Sequence, residues 1–150
     1  MKLYITLFAA MLFLAMGCQD ETCFEEKGLI SMDQYLLDNN LTPETDEDSG
    51  LRYTIIQPGG EDKPAADADV VVNYEGWQTN DEVFDSSDEA IRFPLERLIG
   101  GWQIGIRLIG AGGKIRLYVP SYLAYGTSGT GTICPNSDLI FDIDLISFTD

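Results

Sequence analysis

From Leu51 onward the chain is a succession of short runs rich in β-branched and aromatic residues, each closed by glycine or proline. Arg52-Tyr53-Thr54-Ile55-Ile56 ends at Pro58-Gly59-Gly60, and Lys114-Ile115-Arg116-Leu117-Tyr118-Val119 alternates cleanly before stopping at Pro120. Residues 70–77 form a β-branched run with an aromatic tail. Over residues 139–148, Leu139, Phe141, Ile143 and Leu145 share one face while Asp142 and Asp144 share the other. Ile91-Arg92-Phe93-Pro94-Leu95 also alternates, and its proline places it at an edge or a strand end. A period of two describes strands with one buried face and one wet face, the habit of antiparallel sheets. The spacers are too short for repeated βαβ units, which excludes a doubly wound parallel fold. Only residues 102–109 resist assignment. Trp102, Ile106 and Ile109 fit a helix face, but Trp102, Ile104, Ile106 and Leu108 alternate as a strand would.

Composition narrows the chemistry. The chain carries 25 Asp and Glu against 9 Lys and Arg, a formal charge of -16, so it repels phosphate backbones and nucleic acid is not an expected partner. It contains no histidine, which removes Ser/His/Asp and Cys/His catalysis and imidazole-based zinc sites. Three cysteines are too few for a disulfide scaffold or a four-thiolate metal centre. Gly110-Ala111-Gly112-Gly113-Lys114 lacks the hydroxyl residue of a phosphate loop and precedes a strand, so it reads as a turn. Asp46-Glu47-Asp48-Ser49-Gly50 approaches a calcium loop, but its glycine falls one place early and no glutamate follows at the twelfth position. Asp85-Ser86-Ser87 has no second comparable carboxylate, and Cys134 has no histidine to activate it. No metal and no cofactor is expected.

The first residues carry a targeting pattern. Lys2 precedes a 14-residue run without charge, residues 3–16, which is short for a membrane span and fits a signal peptide. Leu14-Ala15-Met16-Gly17-Cys18 resembles a bacterial lipobox, with Ala15 where leucine is usual. That resemblance implies a lipoprotein signal peptide over residues 1–17, diacylation of Cys18 and anchorage in a bilayer of the bacterial cell envelope, with the outer membrane favoured. Residues 18–50 read as a solvated, partly flexible acidic spacer, with ten acids and one base over residues 20–50. Within it Ser31 and Gln34 fit a capping box, and Met32, Tyr35 and Leu36 share a face, so a short helix is expected there before Asn39-Asn40 and Pro43.

The remaining chemistry is aromatic and apolar. Val70-Val71-Val72-Asn73-Tyr74-Glu75-Gly76, Val83-Phe84-Asp85-Ser86-Ser87, Gly101-Trp102, Ala124-Tyr125-Gly126, Ile133-Cys134-Pro135-Asn136 and Leu139-Ile140-Phe141-Asp142 occur in that order. Together they resemble FKBP-type peptidyl-prolyl isomerases, over about residues 51–148. The resemblance implies an α+β domain over residues 51–150, an antiparallel sheet of about five strands wrapped around one short helix that starts near Gly101. Tyr74, Phe84, Asp85, Trp102, Tyr125 and Phe141 would then be the catalytic set, and Ile91, Leu98, Ile99 and Ile133 would complete the substrate pocket. The Ile99 N–H and the Tyr125 hydroxyl would hold the substrate main chain, and the partners would be Xaa-Pro segments of unfolded or exported proteins. The sequence departs from the family pattern in places. The segments after Ser87 and after Leu95 are shorter, a basic residue that often steadies the aspartate is lost, Ile91 replaces an aromatic, and Cys134 stands where proline is common. A peptide-binding or chaperone module with little isomerase activity, and a cell-surface glycan or adhesion accessory, are the two alternatives. In an oxidising compartment Cys23 and Cys134 are the thiols left once Cys18 is acylated, and a bridge between them would clamp the spacer beside the pocket rim.

Overall fold

The computed structural model describes residues 19–150; the expected signal peptide over residues 1–17 and the acylation site Cys18 lie outside the described residues. Six strands make one antiparallel sheet: β1 (Glu44–Thr45), β2 (Arg52–Gln57), β3 (Asp69–Gln78), β4 (Val83–Pro94), β5 (Gly113–Val119) and β6 (Leu139–Thr149). Their order is β1-β2-β5-β6-β3-β4. The sixth strand beyond the expected five is β1, whose Glu44 and Thr45 pair with Tyr53 and Arg52. Two residues carry no readable period.

On β6 the alternation is as the sequence indicates: Leu139, Phe141, Ile143 and Leu145 are buried among Val70, Val72, Ile115, Leu117 and Val119. Strand β4 fuses two expected segments. Its register against β3 slips between Ser87, opposite Tyr74, and Ile91, opposite Val72. The residues between them bulge, and β4 lies at the sheet edge, where a strand-ending Pro94 is tolerated.

Residues 102–109 are helical: α1 to α3 run Gln19–Lys27, Met32–Asp38 and Gly100–Gly105, and a 3-10 turn over Ile106–Leu108 continues α3. The reason is a close approach. Gly101 and Gly105, four apart on one helix face, lie on β5; a Cβ would stand 2.5 Å from Val119 Cγ1 at the first and 2.4 Å from Leu117 Cδ2 at the second. Trp102, Ile106 and Ile109 enter the core, whereas Ile104 and Leu108 are only half-buried.

Within the acidic spacer, the short helix expected around Met32, Tyr35 and Leu36 forms and packs on the sheet. Ser31 Oγ caps α2 by accepting from the Gln34 N–H at 3.3 Å, and Asn40 leaves the helix at φ 53. Met32, Tyr35 and Leu36 of α2 bury against Tyr118, Ile140 and Trp77. Tyr118 and Ile140 are paired across β5 and β6 on the face that alternation left to solvent. Two adjacent apolar residues there need a cover, and α2, at about two turns too short to stand alone, supplies it. The Tyr35 hydroxyl donates to Asp81 Oδ1 and accepts from the Trp77 indole N–H, each at 3.1 Å. Further along the same face Arg116 makes two bonds to Asp142, at 2.6 and 2.7 Å, with its guanidinium 5.2 Å from the Trp77 ring centre. Helix α1 is tied down separately. A disulfide joins Cys23 to Cys134 with Cα atoms 5.9 Å apart, Asn80 Nδ2 donates to the Lys27 carbonyl at 2.9 Å, and Lys27 Nζ donates to the Thr132 carbonyl.

Candidate binding pocket

A pocket of about 270 Å³ opens where β3, β4 and β6 meet the start of α3. Its floor is Trp102, only 5% exposed, because the tight seat of α3 on β5 drives the indole into the core. Around it the rings meet edge to face. Tyr74 and Trp102 have centroids 5.1 Å apart at 78°, Trp102 and Phe141 5.4 Å at 89°, and Phe84 and Phe141 5.5 Å at 89°. Such pairs favour one arrangement over its neighbours, so the walls are preset before any ligand arrives. Gly76 makes the arrangement possible. A Cβ there would stand 2.7 Å from Phe141 Cε1 and 2.8 Å from Phe84 Cζ, inside both rings.

The polar atoms sit at the edge. The Tyr74 hydroxyl donates to Asp85 Oδ2 at 2.8 Å, so this phenol steadies the carboxylate in the absence of the basic residue the sequence lacks. Burial, reinforced by the bond to Asp85, pushes the Tyr74 hydroxyl up to about 12. Burial first and the Asp85 charge second also raise the Tyr125 hydroxyl. Both phenols are therefore protonated donors at any physiological pH. Ile99 caps α3: its carbonyl accepts from the N–H groups of Trp102 and Gln103, while its own N–H has no acceptor among the described residues. Tyr125, 38% exposed, faces the same opening.

Of the expected residues, the fold brings Tyr74, Phe84, Asp85, Leu98, Ile99, Trp102, Tyr125 and Phe141 to one cavity. Two expected wall residues lie elsewhere. Ile91 is 37% exposed outside the lining, because the β4 bulge lets the strand reach the pocket two residues later, at Phe93. Phe93 packs on Trp102 with centroids 6.3 Å apart at 86°. Ile133 is buried in the core, bridging to Thr130 across a turn, and does not line the cavity. Sequence reasoning missed Phe93, which shares the parity of Ile91, and Arg97, which beside Glu96 reads as one of an ordinary pair of surface charges.

Comparison with known proteins places this pocket in a family. The family model for FKBP-type peptidyl-prolyl cis-trans isomerases matches residues 60–146. The chain is 41% identical over 103 residues to the FKBP-type isomerase FkpA of Aeromonas hydrophila, covering 67% of this chain and 38% of that one. It is 43% identical over 103 residues to the peptidyl-prolyl cis-trans isomerase Mip of Coxiella burnetii, covering 66% of this chain and 45% of the relative. The match thus spans less than half the length of these curated relatives. Among solved structures, Escherichia coli FkpA superposes with a TM-score of 0.74 at 32% identity, covering 87% of this chain and 61% of that chain. A peptidyl-prolyl cis-trans isomerase from Pseudomonas syringae pv. tomato gives 0.72 at 29% identity, covering 89% and 98%. With the matched region holding every strand from β3 to β5, all of α3 and most of β6, the chain belongs to the FKBP-type peptidyl-prolyl cis-trans isomerase family.

Proposed function

We propose that the chain catalyses cis/trans isomerisation of Xaa-Pro bonds in the pocket around Trp102. The observation that carries this reading is the preset aromatic cavity with its hydrogen-bond donors confined to the rim. A prolyl amide resists rotation by about 18–20 kcal/mol because twisting breaks amide resonance, and uncatalysed exchange takes roughly 10–100 s. No bond to a leaving group breaks. The reaction therefore has no use for a nucleophile or an imidazole, and the histidine-free composition is compatible with it. The twisted amide has lost charge separation, so an apolar cavity disfavours the planar ground state relative to it. Trp102, Phe84 and Phe141 grip the proline ring, with the Ile99 N–H and the Tyr125 hydroxyl free to hold flanking carbonyls. A rate gain of 10⁴ needs about 5.5 kcal/mol, within the reach of shape and desolvation together.

The protein would act on exported proteins as a lipid-anchored enzyme of the bacterial envelope. Support comes from Lys2, the uncharged residues 3–16, Gly17-Cys18, and a Cys23–Cys134 disulfide of the kind that persists in oxidising compartments. Detergent-phase partition of the wild type, lost in Cys18→Ala, tests the anchor. A protease-free isomerisation assay on Xaa-Pro peptides tests the activity. Acceleration no greater than that of an unrelated acidic protein would leave a peptide-binding module as the reading.

A further inference from the structure

The pocket rim holds one feature that the isomerase reading leaves unused. Two side chains of opposite charge, Asp85 and Arg97, line the cavity. Asp85 accepts the Tyr74 hydroxyl. Arg97 is exposed and, among the described residues, makes no salt bridge and no side-chain hydrogen bond. Arg107 shares that state but lies outside the cavity lining, so Arg97 is the unpaired arginine at the pocket. Arg52, Arg92 and Arg116 each pair with an aspartate, and Lys114 pairs with Asp144. With carboxylates in nearly threefold excess, a guanidinium left unpaired beside the cavity is available to a carboxylate from outside the chain.

We propose that Arg97 is a specificity-determining residue, which selects substrates carrying an acidic side chain next to the isomerised proline. The proposal rests on the isomerase reading and deepens it. Arg97 immediately precedes Leu98 and Ile99, which form the wall and the free N–H of the pocket, so a peptide seated on Trp102 runs past the guanidinium within one or two residues of its proline. The planar fork of arginine donates two parallel bonds to a carboxylate, an arrangement that an isosteric amide cannot match. The remainder of the surface is strongly acidic and works in the opposite sense at long range, by general repulsion of anionic peptides. Salt separates the two effects: screening weakens the diffuse repulsion first and the contact pair less.

The test uses the purified chain and four-residue peptides in pairs, glutamate against glutamine, placed immediately before and immediately after the proline, with a Leu-Pro peptide as reference. Each protein variant is read as the ratio of kcat/KM for glutamate over glutamine, which cancels any general loss of pocket quality. An exposed ion pair supports a preference of about twofold to fivefold. In at least one position the ratio should fall by about that factor in Arg97→Gln, fall further in Arg97→Glu, and be retained only in part in Arg97→Lys, which keeps the charge and loses the fork. Ratios unchanged by Arg97→Gln in both positions, with the Leu-Pro peptide still accelerated, would overturn the role of Arg97 alone. Failure to accelerate the Leu-Pro peptide would overturn the isomerase reading and this proposal with it.

Discussion

Removing the Cys23–Cys134 bridge should cost this protein more stability than any other single change at its N-terminal segment. The two cysteines are 111 residues apart in sequence, so the disulfide closes most of the described chain into a loop in the unfolded state. The chain-entropy relation for a loop of that length gives about 4.8 kcal/mol at 25 °C, and native disulfides in practice return about 2–5 kcal/mol. The folded state adds its own share. Cys134 is 2% exposed, and besides the bridge α1 is held by the Lys27 and Asn80 bonds to carbonyl groups. An exposed lysine bond of this kind is worth under about 1 kcal/mol. The double variant Cys23→Ala/Cys134→Ala should therefore unfold in urea with stability lower by about 3–5 kcal/mol. At a slope of roughly 2 kcal/mol/M that moves the midpoint by about 2 M. The wild type treated with reductant should behave the same way, which separates the bridge from any effect of substitution. Lys27→Met should shift the midpoint by less than a quarter as much. A double variant with an unchanged midpoint would refute the reasoning, because it would mean that the bridge neither constrains the unfolded chain nor holds α1.

Other consequences follow from the pocket and its neighbours. Phe84→Ala removes a half-buried wall ring and should lower kcat/KM on a Leu-Pro peptide by about tenfold or more, while near-ultraviolet circular dichroism shows the fold retained. Gly76→Ala drives a methyl group into Phe84 and Phe141 and should reduce both stability and activity, measured by urea unfolding and the same assay. Because the Tyr74 and Tyr125 hydroxyls are raised and the chain has no histidine, kcat/KM should be flat from about pH 6 to about pH 9; a bell centred near neutrality would contradict the assignment. Burial raises the Asp138 carboxyl, in spite of the Ser121 and Met32 N–H groups that donate to it. Its folded form holds the proton more tightly than the unfolded chain does, so its contribution is favourable below the unfolded value near 3.8 and is lost as pH rises through the folded one. The stability difference between Asp138→Asn and wild type should accordingly move toward the variant as pH rises, and a constant difference across that range would exclude the effect.

What the sequence could and could not disclose follows from where each signal originates. Strands β5 and β6 were legible because one buried face imposes a period of two over seven or more residues, and β2 and β3 through their runs of β-branched and aromatic residues. Strand β1 was not, since two residues have no period. The helix at residues 100–105 depended on contacts that alternation cannot express: Gly101 and Gly105 let α3 lie on β5, and only that approach decides between helix and strand. The outer cover by α2 left a trace in Tyr118 and Ile140, two apolar residues on a face otherwise set with Arg116, Asp142, Lys114 and Asp144. Read as a pair across two strands, they call for a partner; read along one strand, each is a minor exception.

The pocket was legible for a deeper reason. Trp102 and Phe141 belong at once to the hydrophobic core and to the cavity wall, so the pattern that specifies the core also specifies the floor of the site. An enzyme that works by an apolar surface exposes the end of its own core, and its site is written in the same residues as its fold. The rim obeys other rules. Phe93 takes the wall expected of Ile91 because a bulge in β4 changes which residues reach the opening, and a bulge depends on pairing between strands rather than on either strand alone. Arg97 is at the rim because it closes the 3-10 turn over Leu95–Arg97 that leads into Leu98 and Ile99, and nothing in its neighbours marks it. The shape of the cavity is thus encoded locally and early, whereas the make-up of its rim is set by register and loop length. Substitutions that retune substrate choice in this fold should therefore cluster at β4 and at the segment from Leu95 to Ile99, where a charge can change without disturbing the rings beneath it.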